Sequence, residues 1–310
     1  MDYIDALYDA LTLLLDTDDD VCVIGQNGIA RRFCTKYPTR VFDTPVSEAG
    51  TYGMAIGASM VGIKPIVYSQ KMDFMYLALD QIVNECSAWR TMFNGKIQTP
   101  IVFRGMVDRG AGSQHSQSPV SLYAHIPDIK VVCPATAYDV KGLLIAAVND
   151  PGPVMFIDDV WLYHTQSEVP QGLYEVPIGK ANVVKEGADI TIIALSYLVP
   201  EAVKAAEALK GMGIHAEVID LRSVKPLDTE LLIRHVQKTG RAMVAVCDWG
   251  FCGLDSYIAS VLYENCFNVL KAPIGLVSFP DKHVSASAAV EKKFYPHAEE
   301  IKAKALKVLS

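Results

Sequence analysis

Several signatures that would settle a chemistry at once are missing from this sequence of 310 residues. It contains no G-x-x-x-x-G-K-[ST], which excludes a P-loop cradle for nucleotide phosphates. No G-x-G-x-x-G opens a helix after the first strand, and Gly50, Gly53 and Gly57 miss that spacing, so a dinucleotide fingerprint is absent too. G-x-S-x-G is lacking, and with it the nucleophile elbow of a serine hydrolase. The seven cysteines are scattered, odd in number and never form C-x-x-C; they read as reduced, buried thiols rather than a disulfide framework or a zinc site. There is no long block of Lys or Arg, and 28 basic against 35 acidic residues leave a net charge of −7. That balance argues against nucleic acid or an anionic membrane as the main partner. No apolar run reaches spanning length. The start, Met1-Asp2-Tyr3-Ile4-Asp5, is acidic and lacks the basic-then-apolar order of a signal peptide, so the expectation is a cytoplasmic protein.

What is present is an alternation of helix and strand. With 51% hydrophobic residues, the chain can fill two substantial cores. Ile4, Leu7, Leu11, Leu14 and Leu15 recur at helical spacing over 2–17, and Val21-Cys22-Val23-Ile24-Gly25 reads as a buried strand. Strands follow at 40–43, 65–69, 100–103, 128–133 and 153–157, with helices from Glu48, over 74–90 and over 137–148; residues 104–119 read as an irregular loop. This order predicts a parallel sheet covered by helices. Residues 164–178 carry Pro170, Pro177, Gln166, Ser167, Gln171 and Gly172 without periodicity, which predicts a linker over 164–180 between a domain at 1–163 and a smaller one at 181–310. In the second part strands are expected at 189–195, 216–221, 242–247 and 274–279, and helices at 199–212, 229–239, 254–267, 285–294 and 297–309.

The most informative stretch is Phe42-Asp43-Thr44-Pro45-Val46-Ser47-Glu48-Ala49-Gly50, where an apolar run stops and a helix begins. Ser47 suits an N-cap, and Glu48 then falls in the first turn, against the positive end of the helix dipole. The dipole alone explains an acidic residue at a helix start. Gly50, Gly53 and Gly57, with Ala49, Ala55, Ala58 and Ser59, add a face of small side chains open to close approach.

Beyond that stretch lie Met72-Asp73-Phe74, then Leu79-Asp80-Gln81-Ile82-Val83-Asn84-Glu85, Gln114-His115-Ser116-Gln117-Ser118-Pro119 and Tyr138-Asp139-Val140-Lys141-Gly142-Leu143-Leu144. The last is Val218-Ile219-Asp220-Leu221-Arg222-Ser223-Val224-Lys225-Pro226-Leu227-Asp228. In this order the motifs closely resemble the beta subunit of the thiamine-diphosphate-dependent, decarboxylating component of 2-oxoacid dehydrogenase complexes, over nearly the whole chain. The resemblance implies two open twisted-sheet α/β domains, a pyrimidine-binding fold followed by a transketolase C-terminal-like fold. It places Glu48 against the N1′ atom of the cofactor's aminopyrimidine, with Phe74 stacked on that ring and Val46 and Met54 in the apolar setting around it. His115 matches the histidine that faces the thiazolium and substrate and helps move protons. A structural potassium ion is implied on carbonyls at Ala147, Val148, Asp150 and Gly152, with Ile101 opposite.

The superfamily holds the diphosphate and its magnesium through a Gly-Asp-Gly motif, and no such sequence occurs in this chain. The resemblance therefore implies half a site, completed by an alpha subunit that carries Mg2+, in a heterotetramer with a second beta chain. Met75, Tyr76, Trp89 and Met92 are candidates for the apolar contact surface. A lipoyl acyltransferase is a further implied partner. The chain departs from the family at Gly25-Gln26-Asn27, where an acidic residue usually follows the glycine, and at Leu77, Asp158-Asp159, Asp255 and 282–287. Three functions stay open. The first is a 2-oxoacid dehydrogenase subunit, the second a split transketolase-like subunit passing a two-carbon unit to a sugar, and the third a non-catalytic subunit, raised by the neutral Gln26.

Overall fold

The computed structural model describes residues 1–26 and 28–310; Asn27 lies outside the described residues. Two units form, one from residues 1–109 with 122–178 and one from residues 110–121 with 179–310. Among the described residues no helix is long and apolar enough to cross a membrane.

In the first unit α1 (Tyr3–Thr17) leads to β1 (Val21–Gly25), α2 (Gly28–Phe33), β2 (Val41–Asp43), α3 (Glu48–Ser59) and β3 (Lys64–Lys71). A 3-10 helix (Met72–Ala78) and a π-helical stretch (Gln81–Ser87) precede α4 (Ala88–Met92) and β4 (Val102–Val107). α5 (Gly112–His115), which belongs to the second unit, and α6 (Val120–His125) are followed by β5 (Lys130–Val132), α7 (Ala137–Asn149) and β6 (Val154–Asp159). The strands of this unit lie in the order β5-β6-β4-β3-β1-β2, all parallel. Their apolar runs are continuous rather than alternating because helices cover both faces of such a sheet. On α1, Ala6, Leu7, Ala10, Leu11, Leu14 and Leu15 are buried, and the helix packs against α7. Each large apolar side chain so removed from water contributes about 1.5–3 kcal/mol.

The second unit runs β7 (Asn182–Lys185), β8 (Ile190–Ala194), α8 (Leu198–Lys210), β9 (Ala216–Asp220), β10 (Ser223–Lys225), α9 (Thr229–Thr239), β11 (Ala242–Trp249), α10 (Leu254–Cys266), β12 (Gly275–Phe279), α11 (Ala288–Glu291) and α12 (Ala298–Leu309). Its five-stranded sheet has the order β12-β11-β8-β9-β7, parallel except for β7. The start and stop of α9 follow from its ends. The Asp228 carboxylate accepts from Leu231 N–H, and Gly240 takes the left-handed conformation that closes the helix.

The structure adds α2, α6, β7 and β10 to the elements expected from sequence, and it alters four of the expected segments. The single helix expected over 74–90 is broken into a 3-10, a π and a short α segment. The loop expected over 104–119 continues β4 as far as Val107 and contains the turn α5. The helix expected over 285–294 is confined to Ala288–Glu291. Residues 164–178 have no helix or strand, yet they are strapped to the first unit. The Lys141 ammonium donates to the Pro170 carbonyl at 2.9 Å, Val176 is buried, and a Cβ at Gly142 would come within 2.5 Å of the Val176 side chain. That close approach gives the Tyr138–Leu144 motif, with its lysine and glycine side by side, a packing role.

Candidate active site

Strand order alone marks where a ligand belongs. From β1 the chain passes to β2 on one side and returns to β3 on the other, and in open parallel sheets ligands bind in the crevice at the carboxyl ends of strands where the order reverses. A narrow cleft lies there, of about 270 Å³ counted out to its open mouth. Gly25 and Gln26 form its wall at the end of β1, Tyr68, Ser69 and Gln70 at the end of β3, Glu48, Thr51 and Tyr52 on α3, and Phe74 on the 3-10 helix. Gly25 is required at this position because a Cβ would sit 2.4 Å from the Tyr68 carbonyl oxygen.

The cleft is held by hydrogen bonds between its walls. Tyr52 and Ser69 hydroxyls are 2.7 Å apart, and the Tyr52 ring stacks on Phe103 at 5.2 Å and 4°. Gln70 Nε2 donates to the Gln26 carbonyl at 3.2 Å, and Thr44 N–H to the Gly25 carbonyl at 2.8 Å. Burial lifts the Tyr52 phenol above its usual range, and the charge of Glu48 adds to the rise, so Tyr52 stays a neutral hydroxyl. Glu48 is half-buried and is the one carboxylate among the lining residues.

Behind Tyr68 the Arg104 guanidinium lies 4.8 Å from the ring centroid. Fully buried, it donates to Asp158 at 2.6 Å, while the Tyr163 hydroxyl donates to the same carboxylate oxygen at 2.6 Å. Next to this pair Arg109 Nε donates to Asp159 at 2.6 Å. The two acidic residues that depart from the family pattern are thus each matched by an arginine on or just beyond β4.

Of the residues singled out from sequence, Glu48 and Phe74 face one cleft. Val46 does not line it; its side chain is 77% exposed in the extended segment before α3, and Met54 points outward from α3 at 53%. Ser47 makes no side-chain cap, and only its carbonyl accepts, from Thr51 N–H at 2.8 Å. His115 ends α5, half-buried, in the 110–121 segment that is part of the second unit. Ile101 is buried before β4 with its carbonyl accepting from Val154 N–H at 2.9 Å, and the Ala147 carbonyl accepts from Asp150 N–H at 3.4 Å. Asp150 carries an ion pair from Lys130 and caps Gly152 N–H at 3.0 Å. Met75 leaves the set of surface candidates: it is fully buried, and a Cβ at Gly105 would meet its side chain at 2.7 Å, whereas Met92 is 71% exposed. Among the described residues one group has metal-ligand spacing, Glu186, Glu217 and His235, but the Lys238 ammonium already sits 2.7 Å from both glutamates.

Comparison with known proteins follows the same division of the chain. The model described as transketolase, pyrimidine binding domain, matches residues 1–163, and that of the transketolase C-terminal domain matches residues 179–301. Over 287 residues the chain is 40% identical to the beta subunit of acetoin:2,6-dichlorophenolindophenol oxidoreductase of Cupriavidus necator, covering 92% of this chain and 85% of the relative. It is 37% identical over 313 residues to the pyruvate dehydrogenase E1 component subunit beta of Rickettsia felis, covering 96% and 94%. The chain belongs to this thiamine-diphosphate-dependent beta-subunit family. Among solved structures, a split gene transketolase described as an inactive beta4 tetramer superposes with a TM-score of 0.81 at 26% identity, covering 98% of this chain and 97% of that one. Sequence reasoning had not reached Tyr52, Tyr68, Ser69 and Gln70 of this beta subunit. The available signal was Ser69-Gln70, a polar pair at the carboxyl end of an apolar parallel strand.

Proposed function

We propose that this chain is the beta subunit of a 2-oxoacid dehydrogenase of the pyruvate or acetoin type and supplies the pyrimidine half of a thiamine diphosphate site. The observation that carries the reading is the cleft at the β1/β3 ends, where the one lining carboxylate, Glu48, shares the walls with the aromatic ring of Phe74. This donor set suits an aminopyrimidine: a carboxylate for a protonated ring nitrogen, an aromatic face, and polar atoms of Ser69 and Gln70 at the rim. Thiamine diphosphate, when bound, supplies the carbon nucleophile and the electron sink for decarboxylation. Glu48 holds the proton at N1′, Phe74 orients the ring, and the Tyr52–Ser69 contact keeps the helix that carries Glu48 on the strand that forms the opposite wall. Gln26 is neutral, so Glu48 carries the acid–base role of this cleft alone.

His115 is assigned to the later proton transfers and to receiving the acyl acceptor. An alpha subunit with the Gly-Asp-Gly motif is assigned the diphosphate and Mg2+, a second beta chain completes the tetramer, and a lipoyl acyltransferase takes the acyl group. A potassium ion on the carbonyls of Ile101, Ala147, Val148, Asp150 and Gly152 has the all-oxygen donor set that a hard cation prefers. A split transketolase is the second reading, favoured by the fold match at 26% identity; the 37–40% identity to dehydrogenase beta subunits supports the first. Co-expression with the alpha-like chain, then turnover of pyruvate, acetoin and branched-chain 2-oxoacids with and without lipoamide, separates them. Lipoamide-dependent turnover is expected, and two-carbon transfer to a sugar without it contradicts the reading.

A further inference from the structure

One buried carboxylate oxygen holds both ends of the loop that bears His115. Oε1 of Glu291, on α11, accepts from the Gly110 N–H at 2.8 Å, the Ser116 hydroxyl at 2.9 Å and the Tyr295 hydroxyl at 2.7 Å. Glu291 is 4% exposed and Ser116, the residue after His115, is 1% exposed. Gly110 takes φ +93°, which turns the chain into the loop. A hydrogen bond to a carboxylate is about twice as strong as one to a neutral acceptor. Between the two anchored ends the Ser113 hydroxyl donates to the Val284 carbonyl. Downstream the Ser121 N–H donates to Asp248 at 2.6 Å, and its hydroxyl accepts from Leu254 N–H at 2.9 Å.

The local backbone cannot supply this order. His115 ends a four-residue turn in which the Ser116 N–H donates to the Gly112 carbonyl at 3.2 Å, and an isolated turn of that length does not persist in water. We propose that Glu291 is the positioning residue for His115: by fixing residues 110 and 116 on one oxygen it sets where the imidazole is presented. This rests on the reading of His115 as an active-site group. The consequence is kinetic, because a displacement of about 1 Å at a reacting group costs on the order of 100-fold in rate.

The test uses the alpha–beta complex, the 2-oxoacid that turns over fastest with lipoamide, and four variants: E291A, E291Q, H115A and E291A/H115A. E291A should lower kcat roughly 10- to 100-fold while thiamine diphosphate affinity stays within about 3-fold. Gln keeps an acceptor oxygen, so E291Q should recover to within about 5-fold of wild type. The double variant should be no slower than H115A, since coupled residues are non-additive. Amide exchange over 110–117 should quicken in E291A whether or not the enzyme is loaded. Multiplicative losses in the double variant, unchanged exchange, or E291Q as slow as E291A would overturn the positioning role. Wild-type turnover by H115A overturns the parent reading and with it this one, whereas a slow H115A with a normal E291A overturns this one alone. Should E291A fail to assemble, S116A, expected to lose about 3- to 10-fold with the same exchange signature, takes its place.

Discussion

The hydroxyl oxygens of Tyr52 and Ser69 lie 2.7 Å apart, both buried, and this bond joins the helix that begins with Glu48 to the strand that forms the opposite wall of the cleft. Tyr52 stands one turn beyond Glu48 on α3. Y52F leaves the ring stacked on Phe103 but strips Ser69 of its buried partner. A loss of about 1–3 kcal/mol is expected, read from the midpoint of denaturant unfolding, with weaker thiamine diphosphate binding by the complex. Stability and affinity both at the wild-type level would remove the bond from the account.

In the proposed site Phe74, which lines the cleft, is the residue assigned the aromatic face. F74A should weaken cofactor binding by about 1 kcal/mol or slightly more, roughly 5- to 10-fold in Kd, while F74Y stays near wild type. Titration of each assembled complex with thiamine diphosphate decides it, and equal affinities for F74A and wild type would place the ring outside the site.

The Arg104–Asp158 pair is fully withdrawn from solvent. Burial opposes the arginine's charge, but Asp158 outweighs it and holds the guanidinium above its ordinary range. Removing one partner leaves a buried charge alone, so R104M and D158N should each cost about 3–5 kcal/mol, or roughly 6–20 °C in Tm. R104M/D158N should cost less than the sum of the two, and strictly additive melting shifts would show that the pair is not coupled.

In the second unit burial pushes the Asp248 carboxyl up to about 6, against hydrogen bonds from Ser121 and from Trp249 N–H, with the Asp255 charge adding to the rise. The folded state therefore keeps a proton that the unfolded chain has already lost. The contribution of Asp248 to stability declines as pH rises from about 4 to about 6 and is flat above, by on the order of 2–3 kcal/mol. Unfolding free energies of wild type and D248N at pH 4.5 and 7 should show the wild type losing ground over that interval. A difference independent of pH would contradict the shift.

Much of this was legible in the residues. Continuous apolar runs gave the buried parallel strands, and the helix expected over 229–239 is α9, because those signals are local. The helix expected over 74–90 failed for a tertiary reason. Its apolar spacing is helical, but Met72 and Met75 are drawn onto Gly105, and the backbone answers with 3-10 and π segments, which recur at functional sites. Glu48 and Phe74 were reached through motifs, while Tyr52, Ser69 and Gln70 were not, since a wall built from two elements leaves no short-range pattern. Asp158-Asp159 stood out in the sequence only as a departure from the family, and nothing local pointed to Arg104 and Arg109, some fifty residues away. Glu291 was hidden for the same reason, with its loop partners 175 and 181 residues distant.

The central claim is that the carboxylate at position 48 holds the proton at N1′ of the cofactor. Exchange of the C2 proton of thiamine diphosphate, followed in the assembled alpha–beta complex carrying E48Q, tests it most directly. The account predicts exchange slowed by roughly 100-fold or more with assembly intact; exchange at the wild-type rate would contradict it.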